Sequence, residues 1–185
     1  MPSSPDHAVT LRRHPDTPSG VVRGIGARLS RMPGGVLALT YVIAGDIDRL
    51  RIPAPKPPVV AEGLWRHTCC EIFIARTDLA AYHEFNFAPS GAWAVYAFAR
   101  YRDGAAVADQ SLDPRVAVRR TGERLEIDAV IRLDRLSPMH AQARLSLALS
   151  AVIEDDGGQL SYWALRHPPG APDFHHPRAF ALDFE

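Results

Sequence analysis

The sequence predicts an all-β protein, an antiparallel β-sandwich, on three observations. Short apolar runs rich in Val, Ile, Phe, Tyr and Trp recur along nearly the whole chain. Several alternate strictly between apolar and polar residues, the period-two pattern of strands with one face on a core and one nearer water. Strands of a buried parallel sheet would be apolar on both faces. Breaks rich in Gly, Pro and Asp separate the runs, and helical periodicity is scarce. A closed barrel has the same periodicity, but many strands with almost no helix to cover them favour two packed sheets.

Residues 1–20 are rich in Pro, Ser and Asp and read as a flexible N-terminal arm, in which VTL at 9–11 alone has strand character. One domain is expected over 21–185. Its first runs, 21–29 and 35–43, meet at Pro33-Gly34-Gly35, where glycine admits positive φ. PAPKPP at 53–58 cannot donate enough ladder bonds to be a central strand and is expected to be a loop. LWRHTCCEIFIA, 64–75, reads as one strand. Residues 82–88 and 92–101 form a hairpin across Pro89-Ser90-Gly91.

Runs 115–120 and 124–132 flank Thr121-Gly122. In the second, Leu125, Ile127, Ala129 and Ile131 share one face, and Arg124, Glu126 and Asp128 share the other. Residues 132–142 hold at most a short helical turn, because Pro138 interrupts them. In 143–153, Leu145, Leu147, Leu149 and Ala151 oppose Arg144, Ser146, Ala148 and Ser150. Asp155-Asp156-Gly157-Gly158 then turns the chain into 160–165, and 179–184 closes it.

Composition excludes several classes of function. The 185 residues carry 21 basic and 21 acidic side chains, a balance that argues against holding nucleic-acid backbone or an anionic membrane. No run of about eighteen uncharged apolar residues suggests a membrane span. The first residues hold acid, proline and histidine where an export signal needs an apolar stretch, so a cytoplasmic location is expected. Cys69 and Cys70 are the only cysteines, and as neighbours on an extended strand they point to opposite faces, so no disulfide framework is expected.

The candidate site starts at 64–75. Read as a strand, this segment directs Trp65, His67, Cys69, Glu71 and Phe73 to one side and Cys70, Ile72 and Ile74 to the core. A flat indole can cover the C–H face of a sugar ring, and a carboxylate can accept two hydroxyl bonds. In 82–88, Phe85 and Phe87 point inward, so Glu84 and Asn86 emerge beside that row if the strands pair. Trp163 precedes a Pro-rich loop and offers a second aromatic plate. The plainer alternative is that Trp65 and Trp163 pack as structure while the acids pair with arginines in a cross-strand ladder.

Other chemistry is weakly marked. His167, His175 and His176 lack the spacing of a zinc site, so no metal is predicted. Cys69 with His67 lacks a feature that would lower the thiol pKa. Glu71 and Glu84 suit glycoside hydrolysis only at the right separation. No GxSxG elbow, phosphate loop or dinucleotide fingerprint is present, and no catalytic residue is predicted.

The segments LWRHTCCEIFIA, YHEFNFAPSGAWAVYAFARYRDG and SYWALRHPPGAPDFHHPRAFAL resemble the bacterial DOMON-like proteins, relatives of the type 9 carbohydrate-binding modules. The resemblance covers most of 20–185 and is strongest at 64–103 and 160–184. It implies a β-sandwich with a ligand surface, on which aromatic side chains clamp a sugar and polar groups bond its hydroxyls. Trp65 and Glu71 correspond to the tryptophan and the acid of the family's E-x-F strand, with Trp163 as the second plate. The resulting expectation is a non-catalytic ligand-binding domain whose partner is a small molecule, a sugar or polyol, held by Trp65, His67, Glu71, Glu84, Asn86 and Trp163. A haem- or metal-binding redox module is the alternative, haem binding being what the family also implies. No cofactor is predicted, and Met139 and His140 are the pair the sequence would permit as axial ligands. A structural protein-interaction domain is the third reading.

Overall fold

A computed structural model describes residues 6–54, 60–107 and 109–185. Eleven of the twelve strands described form one hydrogen-bonded path that folds into two sheets. The first sheet contains β1 (His7–Arg13), β2 (Val22–Met32), β3 (Val36–Gly45), β8 (Arg115–Arg120) and β9 (Arg124–Arg132), in the order β1-β2-β3-β9-β8. The second contains β4 (Cys69–Arg76), β5 (Tyr82–Phe87), β6 (Trp93–Arg100), β7 (Asp103–Ala106), β10 (Leu145–Glu154) and β11 (Leu160–Ala164), in the order β7-β6-β5-β4-β10-β11. β12 (Leu182–Phe184) pairs with the start of β10. Every pairing between these strands is antiparallel.

β1 changes the account of the N-terminus. His7 to Leu11 pair with β2, whereas Arg12 and Arg13 pair with Ala164 and Trp163 of β11. One strand thus passes from one sheet to the other and ties them together. The expected arm holds a strand from His7 to Arg13, longer than the three residues with strand character, and residues 1–5 lie outside the described residues. Its burial alternates from His7 to Arg12, but Leu11 alone is fully buried, so few apolar residues mark the strand in the sequence. Of the loop expected at 53–58, residues 55–58 also lie outside the described residues.

The alternation read from β9 is the alternation observed; in β10 the apolar set enters the core as expected, but the opposite face is buried as well from Ala148 onward. Leu125, Ile127, Ala129 and Ile131 face Ile72, Ile74, Phe85, Phe87, Leu147 and Leu149 across one core. Each Leu, Ile or Phe among them contributes about 1.5–3 kcal/mol relative to leaving it in water. The core carries one polar pin: the fully buried Tyr41 hydroxyl of β3 donates to the main-chain carbonyl of Glu71 on β4. This bond fixes the position of β4 against the opposite sheet. The short helix Leu133–Leu136 ends before Pro138, as the sequence predicts. Among the described residues, no helix is long and apolar enough to cross a membrane.

Candidate functional site

β4 starts at Cys69, not at Leu64. Leu64–Arg66 form a single 3₁₀ turn, entered through Gly63 at φ +72° in the left-handed region. The turn lifts Trp65 off the sheet, leaving it 47% exposed. From Cys69 onward the expected parity holds. Cys70, Ile72 and Ile74 enter the core, and Glu71 and Phe73 leave the opposite, outer face.

Glu71 lies opposite Asn86 of β5 and Ser150 of β10, while Glu84 lies opposite Phe73 of β4 and Tyr96 of β6. Both acids are nearly sealed, at 2% and 5% exposure. The Ser150 hydroxyl donates to Glu71 Oε2 at 3.0 Å, and Asn86 Nδ2 donates to Glu84 Oε1 at 2.9 Å. Each carboxyl thus has one oxygen satisfied by a neutral donor. Burial pushes Glu84 up to about 7. Burial pushes Glu71 well above the usual carboxylate range, and the neighbouring charge of Glu84 adds to the effect.

Loops close over this floor. The chain after β11 returns Phe174 and His175, and Asp173 anchors it by accepting Tyr101 Oη at 2.6 Å and Arg102 Nη2 at 2.9 Å. Arg102 holds a left-handed φ of +55° in the turn between β6 and β7, a conformation that costs energy for a side-chain-bearing residue. In return, its backbone N–H donates to Tyr82 Oη at 3.2 Å. β7 then runs close beside β6 because Gly104 has no side chain. A Cβ there would lie 2.2 Å from the Ala97 carbonyl and 2.5 Å from the Phe98 ring.

The result is a hollow of about 640 Å³ on the outer face of the second sheet, within the size range of small-molecule sites. Glu71, Glu84 and Val152 line its base. Tyr96, Phe98, Tyr162 and Phe174 supply aromatic walls, and Trp65 and Glu62 stand at the exposed rim.

Three of the six expected residues, Trp65, Glu71 and Glu84, line this hollow. Asn86 does not line it but sits fully buried beside Glu84, which it orients. Trp163 and His67 need correction. Trp163 is 5% exposed and belongs to the core, where its Nε1 donates to Ser161 Oγ at 3.1 Å. It pairs with the core residue Ala151, so the adjacent Tyr162, opposite Val152, is the residue that faces the hollow. His67 lies outside the hollow, with Nδ1 2.6 Å from Glu154 Oε2, a carboxylate that also pairs with Arg51 at 2.7 Å.

Sequence reasoning missed Tyr96, Phe98, Phe174 and Glu62. Tyr96 and Phe98 carry a signal, two aromatics at period two opposite the inward Trp93 and Val95. Phe174 and Glu62 lie in loops and carry none. Met139 and His140 form no paired site: Met139 is 60% exposed, and His140 is buried with Nδ1 on Ser137 Oγ at 2.8 Å. Among the described residues, no three His, Cys, Asp or Glu side chains cluster as metal ligands.

Fold and site together define an antiparallel β-sandwich with an acid-floored aromatic hollow on the outside of one sheet. The same fold is found in a protein from Bacteroides uniformis to which carbohydrate binding has been ascribed. That structure is similar at a TM-score of 0.68 and 16% identity, over 98% of this chain and 86% of that one. A family 9 carbohydrate-binding module from Caldicellulosiruptor kristjanssonii, solved with cellotriose, is more distant, at a TM-score of 0.49 and 12% identity over 89% of this chain and 74% of that one. The sequence matches no protein-family model, and no curated protein matches it.

Proposed function

We propose that this protein is a non-catalytic binding domain of the DOMON-like type, and that its hollow takes a carbohydrate or similar polyol. The observation that carries the reading is the convergence in one open hollow of an exposed indole, further aromatic walls and two carboxyls with an oxygen free on each. Aromatic faces cover the apolar C–H side of a sugar ring, and the free oxygens accept from its hydroxyls. The fold shared with the Bacteroides protein supports the same reading.

Burial raises both acids, and among the described residues no arginine forms a salt bridge with either. A glycan array followed by calorimetry tests the proposal. Binding to at least one sugar is expected, weakened about tenfold or more in Trp65→Ala, the loss of an aromatic contact. No binding across the array, or an unchanged affinity in that variant, removes the reading.

A further inference from the structure

We propose that the ligand of this hollow carries an ammonium group, as an amino sugar does, seated against Glu71 and Glu84. The inference rests on the carbohydrate reading and narrows it to a cationic substrate class.

The two acids of the hollow have no lysine or arginine salt-bridge partner among the described residues. Among the described residues, Glu71 has no ionic partner within 4 Å, and Glu84 has only His175, with Nε2 at 3.7 Å from Oε2. That imidazole sits among the Phe73 and Phe98 rings, with Nδ1 3.0 Å from the Tyr82 hydroxyl. Burial lowers it to about 4, which favours the neutral ring near pH 7. Arg102, the one arginine lining the hollow, is turned onto Asp173. The base of the hollow therefore presents acceptors and no cation.

The walls point the same way. Tyr96, Phe98, Tyr162 and Phe174 line the hollow, and the negative faces of such rings attract a cation, as the Trp65 ring at the rim already does with Arg66 at 5.2 Å. Asn86 lies fully buried beneath the hollow, where its Nδ2 orients Glu84 and its Oδ1 has no partner among the described residues, so it brings no positive charge to the acids either. A neutral sugar satisfies free carboxyl oxygens with hydroxyls but leaves two adjacent buried acids sharing a proton. An ammonium brings three donors and the opposite charge.

Titration gives a second readout. The groups around the acid pair are Cys69 on the same strand, Ser150 on β10, Tyr82 on β5, Tyr96 on β6, and Arg102, Asp173 and His175 from the loops, with Glu62 at the rim. Of these, the acid pair is the group that an incoming cation would ionise near neutral pH. Binding of an amine should therefore release a proton, and binding of the matched neutral sugar should not.

The experiment compares β-1,4-linked glucose, glucosamine and N-acetylglucosamine trisaccharides, together with 6-amino-6-deoxyglucose against glucose, by calorimetry at pH 6.5 in buffers of different ionisation enthalpy. An amine form bound about tenfold or more tighter than its neutral partner, with proton release, supports the proposal. The preference should fall to near parity in the isosteric Glu71→Gln/Glu84→Gln variant, whose fold is checked by its melting transition. Equal affinity for amine and neutral forms overturns the ammonium inference and leaves the carbohydrate reading standing. No binding of any of these sugars overturns the inference, and failure across the full glycan array removes the carbohydrate reading as well. A preference that survives the double variant also overturns it, because the charge would then be read elsewhere.

Discussion

The outer faces of the two sheets follow the same alternation and treat their acids in opposite ways. On the first sheet, Glu126 and Asp128 of β9 meet Arg119 of the neighbouring β8 at 2.7 and 2.5 Å, and Glu126 also meets Arg124. Thr40 of β3 donates to Asp128 at 2.7 Å. These arginines hold Glu126 below the usual carboxylate range. On the second sheet, Glu71 and Glu84 face Ser150, Asn86 and aromatic rings, and burial holds both above that range. An acid in a period-two polar row is thus undetermined until its cross-strand neighbours are known. Paired with arginine it makes a solvated ladder; roofed by loops and left to neutral donors it makes a site.

The largest effects should come from asking which aromatics of the second sheet face the hollow and which hold the fold. β11 places the two kinds side by side. Trp163→Ala empties a core position and is expected to cost about 3–5 kcal/mol in denaturant unfolding. Tyr162→Ala, one residue away, removes a wall of the hollow, so it should weaken ligand binding while costing far less stability. If the two variants reverse these roles, the outer face of β11 belongs to the packing and the contrast between the sheets fails.

The same strand shows what could be read in advance. Alternation located the core of β9 and β10 correctly, because a period of two is fixed by the backbone and needs no partner. It also placed Glu71 and Glu84 on one face, since Phe85, Phe87 and Ile72 mark the other as apolar. It could not choose between Tyr162 and Trp163, both large and aromatic, because their parity depends on register with β10. His67 failed for a different reason: the strand assumed to carry it starts two residues later, after a 3₁₀ turn. The loops that bring Phe174, His175 and Glu62 over the base carry no periodicity.

Glu84→Gln sharpens the comparison through pH. A carboxyl whose folded pKa, about 7, lies above its ordinary 4.5 binds more protons folded than unfolded between those values. Its stabilising contribution is complete below about pH 4.5 and is lost as pH rises toward 7. The glutamine variant has no such proton to lose. Its stability relative to the parent should rise across that window, by at most an order of 3 kcal/mol, and level off above it. His175, lowered to about 4, drives stability the other way between pH 4 and 6.5, but it is present in both proteins and drops out of the difference to first order. A pH-independent difference in unfolding free energy would mean that Glu84 titrates as an ordinary exposed acid.

Arg119→Ala should give the smallest effect. Arg119 bridges Glu126 and Asp128, yet its side chain is 60% exposed, and water takes over much of what the ion pairs supply. The melting temperature should move by only about one or two degrees, with less change in high salt, where these charges are screened already. Ligand affinity at the hollow should not move, because the hollow lies on the opposite face of the sandwich. A large loss of stability would show that the ladder holds the first sheet together, and the two outer faces would then differ in how their acids are used but not in how much the fold depends on them.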